Sequence, residues 1–93
     1  MFTKDEISIL TAALQTYDDF IQREQGTEKL QQHIKQLKPK VENFCSMTHL
    51  TQTDLTTLLY SVKYVIDVSE DVGTYISEEP YRLFDKIYNL LDS

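Results

Sequence analysis

The stretch LTQTDLTTLLYSVKYVIDV, Leu50–Val68, admits two readings. Tyr60, Val62, Tyr64, Ile66 and Val68 alternate like a strand, and all five are good strand formers. Leu55, Leu59, Val62 and Ile66 step by four and three, which is one face of a helix. The start of the stretch decides between them. Thr51 stands where its hydroxyl can accept from the backbone N–H of Asp54, and the Asp54 carboxylate can reach back to the N–H of Thr51. Leu50 and Leu55 take the two positions of a hydrophobic staple. No second strand is available to pair with 60–68, and a lone strand is not viable. The stretch therefore predicts a helix that opens at this box and ends near Gly73.

The same punctuation occurs at FTKDEI, Phe2–Ile7. Thr3 and Glu6 form the box there, and Phe2 and Ile7 form the staple. Asp54 is the weaker box partner because its side chain is shorter than that of Glu6. After the first box, Ile7, Leu10, Leu14, Tyr17 and Ile21 lie on one helical face, and Gly26 is a natural stop. Thr27 can cap a second helix bearing Leu30, Ile34 and Leu37. Ser77 can cap a fourth bearing Leu83, Phe84, Ile87, Leu90 and Leu91, with Pro80 in its first turn, where a missing N–H is harmless.

The two halves share a plan. The first and third helices align at an offset of 48, and Leu30, Ile34 and Leu37 match Leu83, Ile87 and Leu90 at an offset of 53. Identities are few, so the repeat is one of pattern. Two αα-hairpins that bury their stripes in each other make an all-α, antiparallel four-helix bundle. Pro39 disturbs the second helix. The apolar stripe continues past it through Val41 and Phe44, yet proline costs a helix interior about 3 kcal/mol and disfavours helix at the residue before it. A kink or break is expected near 37–39, followed by helix to Met47.

The length of 93 residues suits one domain spanning 1–93. Apolar residues make up 41% of the chain, enough for a folded core. The first ten residues, MFTKDEISIL, lack the basic and apolar regions of a signal peptide. Cys45 has no internal partner for a disulfide, and the expected compartment is a reducing cytoplasm. No apolar run approaches a membrane span. Seven lysines beside two arginines suggest an AT-rich bacterial or phage source.

The net charge is −6, unevenly spread. Residues 1–28 hold six acids and two bases, 29–40 hold four lysines and no acid, and 41–93 hold nine acids and three bases. Such a surface repels phosphate backbones and favours basic partners. Lys29, Lys35, Lys38 and Lys40, with His33, form the one basic patch. Its expected role is to offset nearby helical acids or to meet an acidic partner.

Two surfaces stand out. Tyr60, Tyr64 and Val68 step by four along the third helix and lie largely outside its core arc. A partner protein or a second copy of the chain could cover that strip, since tyrosine is enriched at interfaces. The plainer reading is that the fourth helix packs on those tyrosines. The second surface is acidic: Asp67, Glu70, Asp71, Glu78 and Glu79. Together with Asp18, Asp19 and Glu24 these acids could imitate a phosphate array, although acidic helical faces are common.

Metal and catalytic readings are weaker. Asp67, Ser69, Asp71 and Glu78 fall at positions 1, 3, 5 and 12 of an EF-hand-like loop, but position 6, which needs glycine, is Val72. Cys45 and His49 are spaced i, i+4, with only His33 left as a further nitrogen donor for zinc. No glycine-rich nucleotide loop and no nucleophilic constellation is present. No residue pattern marks a known family. The expectation is a non-enzymatic acidic helical protein, without cofactor or metal, that binds another protein as an inhibitor, immunity or antitoxin-like protein, or regulatory adaptor. This rests on fold-level analogy. The alternative is an acidic mimic that occupies a DNA- or RNA-binding protein. Neither direct nucleic-acid binding nor membrane association is expected.

Overall fold

Both threonine boxes form, and each opens a helix. The computed structural model describes residues 2–42, 50–73 and 78–92. These residues form α1 (Lys4–Ile21), α2 (Glu28–Glu42), α3 (Gln52–Asp71) and α4 (Glu79–Asp92), with no strand among them. At α1 the Thr3 hydroxyl accepts from the Glu6 N–H at 3.1 Å, and Glu6 accepts from the Thr3 N–H at 2.8 Å. At α3 the Thr51 hydroxyl accepts from the Asp54 N–H at 3.1 Å, and Asp54 accepts from the Thr51 N–H at 3.1 Å. The shorter acid makes the longer return bond. Residues 60–68 lie wholly within α3, so the helical reading of that stretch holds.

The ends are set by backbone chemistry. Gly26 and Gly73 have φ of +80° and +71°, a region that costs glycine little and other residues more. Thr27 stands at the N-cap position of α2, where its carbonyl accepts the Gln31 N–H at 2.9 Å, but its hydroxyl is used differently from that of Thr3 or Thr51. Its hydroxyl donates backward to the Ile21 carbonyl at 2.7 Å, near the end of α1. It also accepts from Gln31 Nε2 at 2.9 Å. A hydroxyl has one hydrogen. With that hydrogen directed to α1, Thr27 joins the two helices of the first hairpin across their turn. At Pro39 the chain does not break: the helix passes through Lys38 and Pro39 and continues to Glu42, in phase with the apolar stripe. Proline removes one backbone donor from the ladder, the one that would meet the Lys35 carbonyl. The expected continuation to Met47, Phe44, Cys45 with His49, and the Ser77 cap lie outside the described residues.

The cores of the hairpins face each other. Leu10, Leu14, Ile34, Leu37, Val41, Leu58, Val62, Leu83 and Ile87 are buried in one cluster, which Phe2 joins. Ile7 and Leu50, both staple members, pack against it. Burial repeats at the sequence offsets: Leu10 with Leu58, Ala13 with Ser61 and Leu14 with Val62 at 48, and Ile34 with Ile87 at 53. α1 and α3 form the central pair, α2 lies against α1, and α4 lies against α3. Ile9 and Ala13 share a groove with Val62 and Val65, and Tyr17 shares one with Thr53 and Tyr60.

Polar residues enter this core without unpaired hydroxyls. Ser61 is fully buried and donates to the Thr57 carbonyl at 2.8 Å. Thr57 is buried too and donates to the Thr53 carbonyl at 3.1 Å. Such back-bonding hides a donor against its own helix.

The hairpins are also joined by charge. Lys86 of α4 donates to Glu6 Oε1 at 2.9 Å, and its ammonium lies 5.1 Å from the centre of the Phe2 ring. Lys40 of α2 donates to Asp54 Oδ2 at 2.8 Å. Each capping-box acid therefore takes a lysine from the second helix of the opposite hairpin.

Candidate functional site

The candidate surface lies on α3 and the adjoining end of α1. α3 runs unbroken to Asp71, so Tyr60, Tyr64, Asp67, Val68 and Asp71 fall on one stripe of a single helix. The tyrosine strip and part of the acidic patch are thus one continuous surface, about 16 Å long at 1.5 Å per residue. Tyr60 is 54% exposed and Val68 38%. Asp67 and Asp71 are exposed and form no ion pair among the described residues.

Tyr64 departs from the expectation of an outlying residue. It is half-buried, with its ring centre 4.6 Å from that of Phe20 and 5.8 Å from that of Tyr17, both on α1. Phe20 and Tyr17 stack at 6.3 Å. α1 packs on Tyr64 through these two rings. Phe20 keeps 37% of its surface, so the stacked cluster extends the strip onto α1. Sequence reasoning missed Phe20 because it stands beside the apolar face of its own helix. Its aromatic identity was the only signal.

Beside this cluster is an open groove of about 460 Å³, lined by Tyr17, Leu30, Gln52, Thr53, Thr56, Thr57 and Tyr60. Burial, and then the neighbouring Tyr60, push the Tyr17 phenol above its ordinary pKa. Tyr17 is therefore neutral at physiological pH.

The rest of the acidic patch is divided. Glu70 accepts from the Tyr81 hydroxyl at 2.9 Å, a bond that raises the Tyr81 pKa. Glu78 pairs with Arg82 at 2.8 Å, and Glu79 lines a separate groove with Thr3, Asp5 and Arg82. Asp18 does not belong to a surface array. It is 4% exposed, accepts from Gln22 at 3.0 Å and lies 3.5 Å from Lys38. An acid one turn from two core residues was legible as a surface group only while its lysine partner, twenty residues on, was unknown.

Two of the four lysines of the basic patch are engaged internally. Lys38 meets Gln15 and Asp18, and Lys40 meets Asp54. His33 Nε2 lies 3.2 Å from Asp54 Oδ1, outside hydrogen-bond geometry. Burial tends to raise the Asp54 pKa, but Lys40 and the Thr51 N–H outweigh it and hold the carboxyl below its ordinary value. Glu6 behaves alike, with Lys86 and the Thr3 N–H outweighing burial.

The calcium reading fails on geometry. Asp67, Ser69 and Asp71 are helical, so they cannot form the first half of a ligating loop. Among the described residues, no three His, Cys, Asp or Glu side chains are grouped to hold a metal. No helix among them is long and apolar enough to cross a membrane.

No protein-family model matches the chain, and no similar protein emerges among the curated sequences or the solved structures.

Proposed function

We propose that this chain is a non-catalytic binding protein whose contact face is the α3 stripe of Tyr60, Tyr64 and Val68 together with Phe20 of α1. The observation that carries this reading is the pre-stacked aromatic cluster, left partly open to solvent one turn from the exposed Tyr60. Rings held in place before binding lose little conformational entropy on contact, and tyrosine supplies both apolar area and a hydroxyl. Inhibitor, antitoxin-like and adaptor roles are each compatible with such a face.

Paired affinity capture from the native host tests this reading, with the wild-type chain and a Tyr60→Glu variant as baits. Tyr60 is exposed, so the variant keeps the fold. A partner retained by wild type and lost by the variant is the expected result. Identical captured sets would end the reading.

The alternative, an acidic mimic of a nucleic acid, has less support. Of its acids, Asp18 is buried and near Lys38, Glu78 faces Arg82, and Glu70 is bonded to Tyr81. It predicts loss of the partner when Asp67 and Asp71 become lysine, with no effect of Tyr60→Glu.

A further inference from the structure

We infer that the groove between Tyr17 and Tyr60 takes an arginine side chain from a basic segment of the protein partner. This rests on the binding reading above and specifies its chemistry. The groove offers two aromatic rings and a row of threonines. The Thr56 hydroxyl hydrogen is occupied by the Gln52 carbonyl at 2.8 Å, and that of Thr57 by the Thr53 carbonyl at 3.1 Å. Those oxygens keep lone pairs and have no hydrogen left to donate. The Gln52 amide oxygen and the two phenol oxygens add acceptors. No base lines the groove: Lys63 stands beside the stripe and Lys29 beside Leu30, and neither reaches the lining.

A site with ring faces and several acceptor oxygens, and with no basic side chain in its lining, suits a planar cation carrying several donors. Guanidinium is that group. It stacks on aromatic faces while its edge N–H groups bond to oxygens, and it is more weakly hydrated than an ammonium. The charge along α3 agrees. Asp67 and Asp71 continue the stripe from Tyr60 and Tyr64 and have no ion pair among the described residues. A segment that seats one arginine in the groove can lay further bases along these two acids.

The test needs no knowledge of the partner. The labelled wild-type protein is titrated with N-acetyl-arginine methylamide and followed by amide chemical shifts, with the lysine and citrulline analogues as matched probes. Citrulline keeps the planar shape and loses the charge. The expected result is saturating shifts at Tyr17, Thr53, Thr57 and Tyr60, with arginine preferred over citrulline by about fivefold or more. A Tyr60→Leu variant, unchanged in circular dichroism, loses that preference. Equal response to arginine and citrulline overturns the inference, as do shifts confined to Asp67 and Asp71 or no shifts at tens of millimolar probe. Any of these leaves the protein-binding reading standing, because that reading is judged by Tyr60→Glu in the capture experiment.

Discussion

Lys40 Nζ lies 2.8 Å from Asp54 Oδ2, while the same oxygen accepts the Thr51 N–H that opens α3. One carboxylate thus begins a helix and fastens the opposite hairpin to it. Glu6 and Lys86 repeat the arrangement at the start of α1 with the hairpins exchanged. The two pairs differ in burial. The Asp54 side chain is 5% exposed and that of Glu6 23%.

That difference sets the first prediction. Lys40→Met leaves a buried carboxylate without its cation and should cost about 1.5–3 kcal/mol. Lys86→Met removes a more solvated pair and should cost about 1 kcal/mol or less. Urea unfolding of the two variants measures both. Equal losses would show that burial does not separate the pairs.

Acid should loosen the same joints. Glu6 and Asp54 are held below their ordinary values of 4.5 and 3.8. A carboxyl with a depressed folded pKa adds stability that is present above its unfolded value and lost as pH falls through the folded one. The contribution of these two groups is therefore flat near neutrality and fades below pH 4.5. Asp54→Asn should be less stable than wild type at neutral pH, and the gap should close as pH drops toward about 2. Melting curves across that range measure it. A gap that stays constant would mean the Asp54 charge is not what stabilises the fold.

Thr27 gives a sharper local test. Thr27→Val keeps the side-chain shape and removes the hydroxyl that donates to Ile21. The expected loss is about 1 kcal/mol. Thr27→Ser keeps the hydroxyl and should recover most of it. If valine and serine behave alike in denaturant unfolding, the bond across the turn contributes nothing.

The helices were legible because their signals are local. Thr3 with Glu6, Thr51 with Asp54, and the stepped apolar residues all act within one or two turns. The strand-like alternation of Tyr60 to Val68 misled only in isolation, since the box ten residues earlier had already set the backbone. What sequence could not show was which distant groups meet. Asp18 reads as a surface acid until Lys38 is placed beside it. Tyr64 reads as exposed until Phe20 covers it. The double use of Glu6 and Asp54 depends on lysines from other helices, and no spacing rule links those residues. Part of the acidic patch and the tyrosine strip were legible separately, and their union followed only once α3 was seen to reach Asp71.

The aromatic cluster divides the proposed contact face into a packed part and an exposed part, which makes the proposal open to dissection. Phe20 and Tyr64 stack at 4.6 Å, and such pairs are worth about 0.5–1.5 kcal/mol beyond their area. A double-mutant cycle of Phe20→Ala and Tyr64→Ala should return a coupling in that range by urea unfolding. Tyr60 has no ring contact of this kind among the described residues, so Tyr60→Ala should change stability by about 0.5 kcal/mol or less. Tyr64→Glu is consequently a poor probe of binding, because it disturbs packing against α1 as well as any partner. Tyr60 variants test the proposed contact without that disturbance. If Tyr60→Ala instead costs as much stability as Tyr64→Ala, the exposed turn belongs to the fold, and lost binding in any Tyr60 variant could no longer be read as a lost contact.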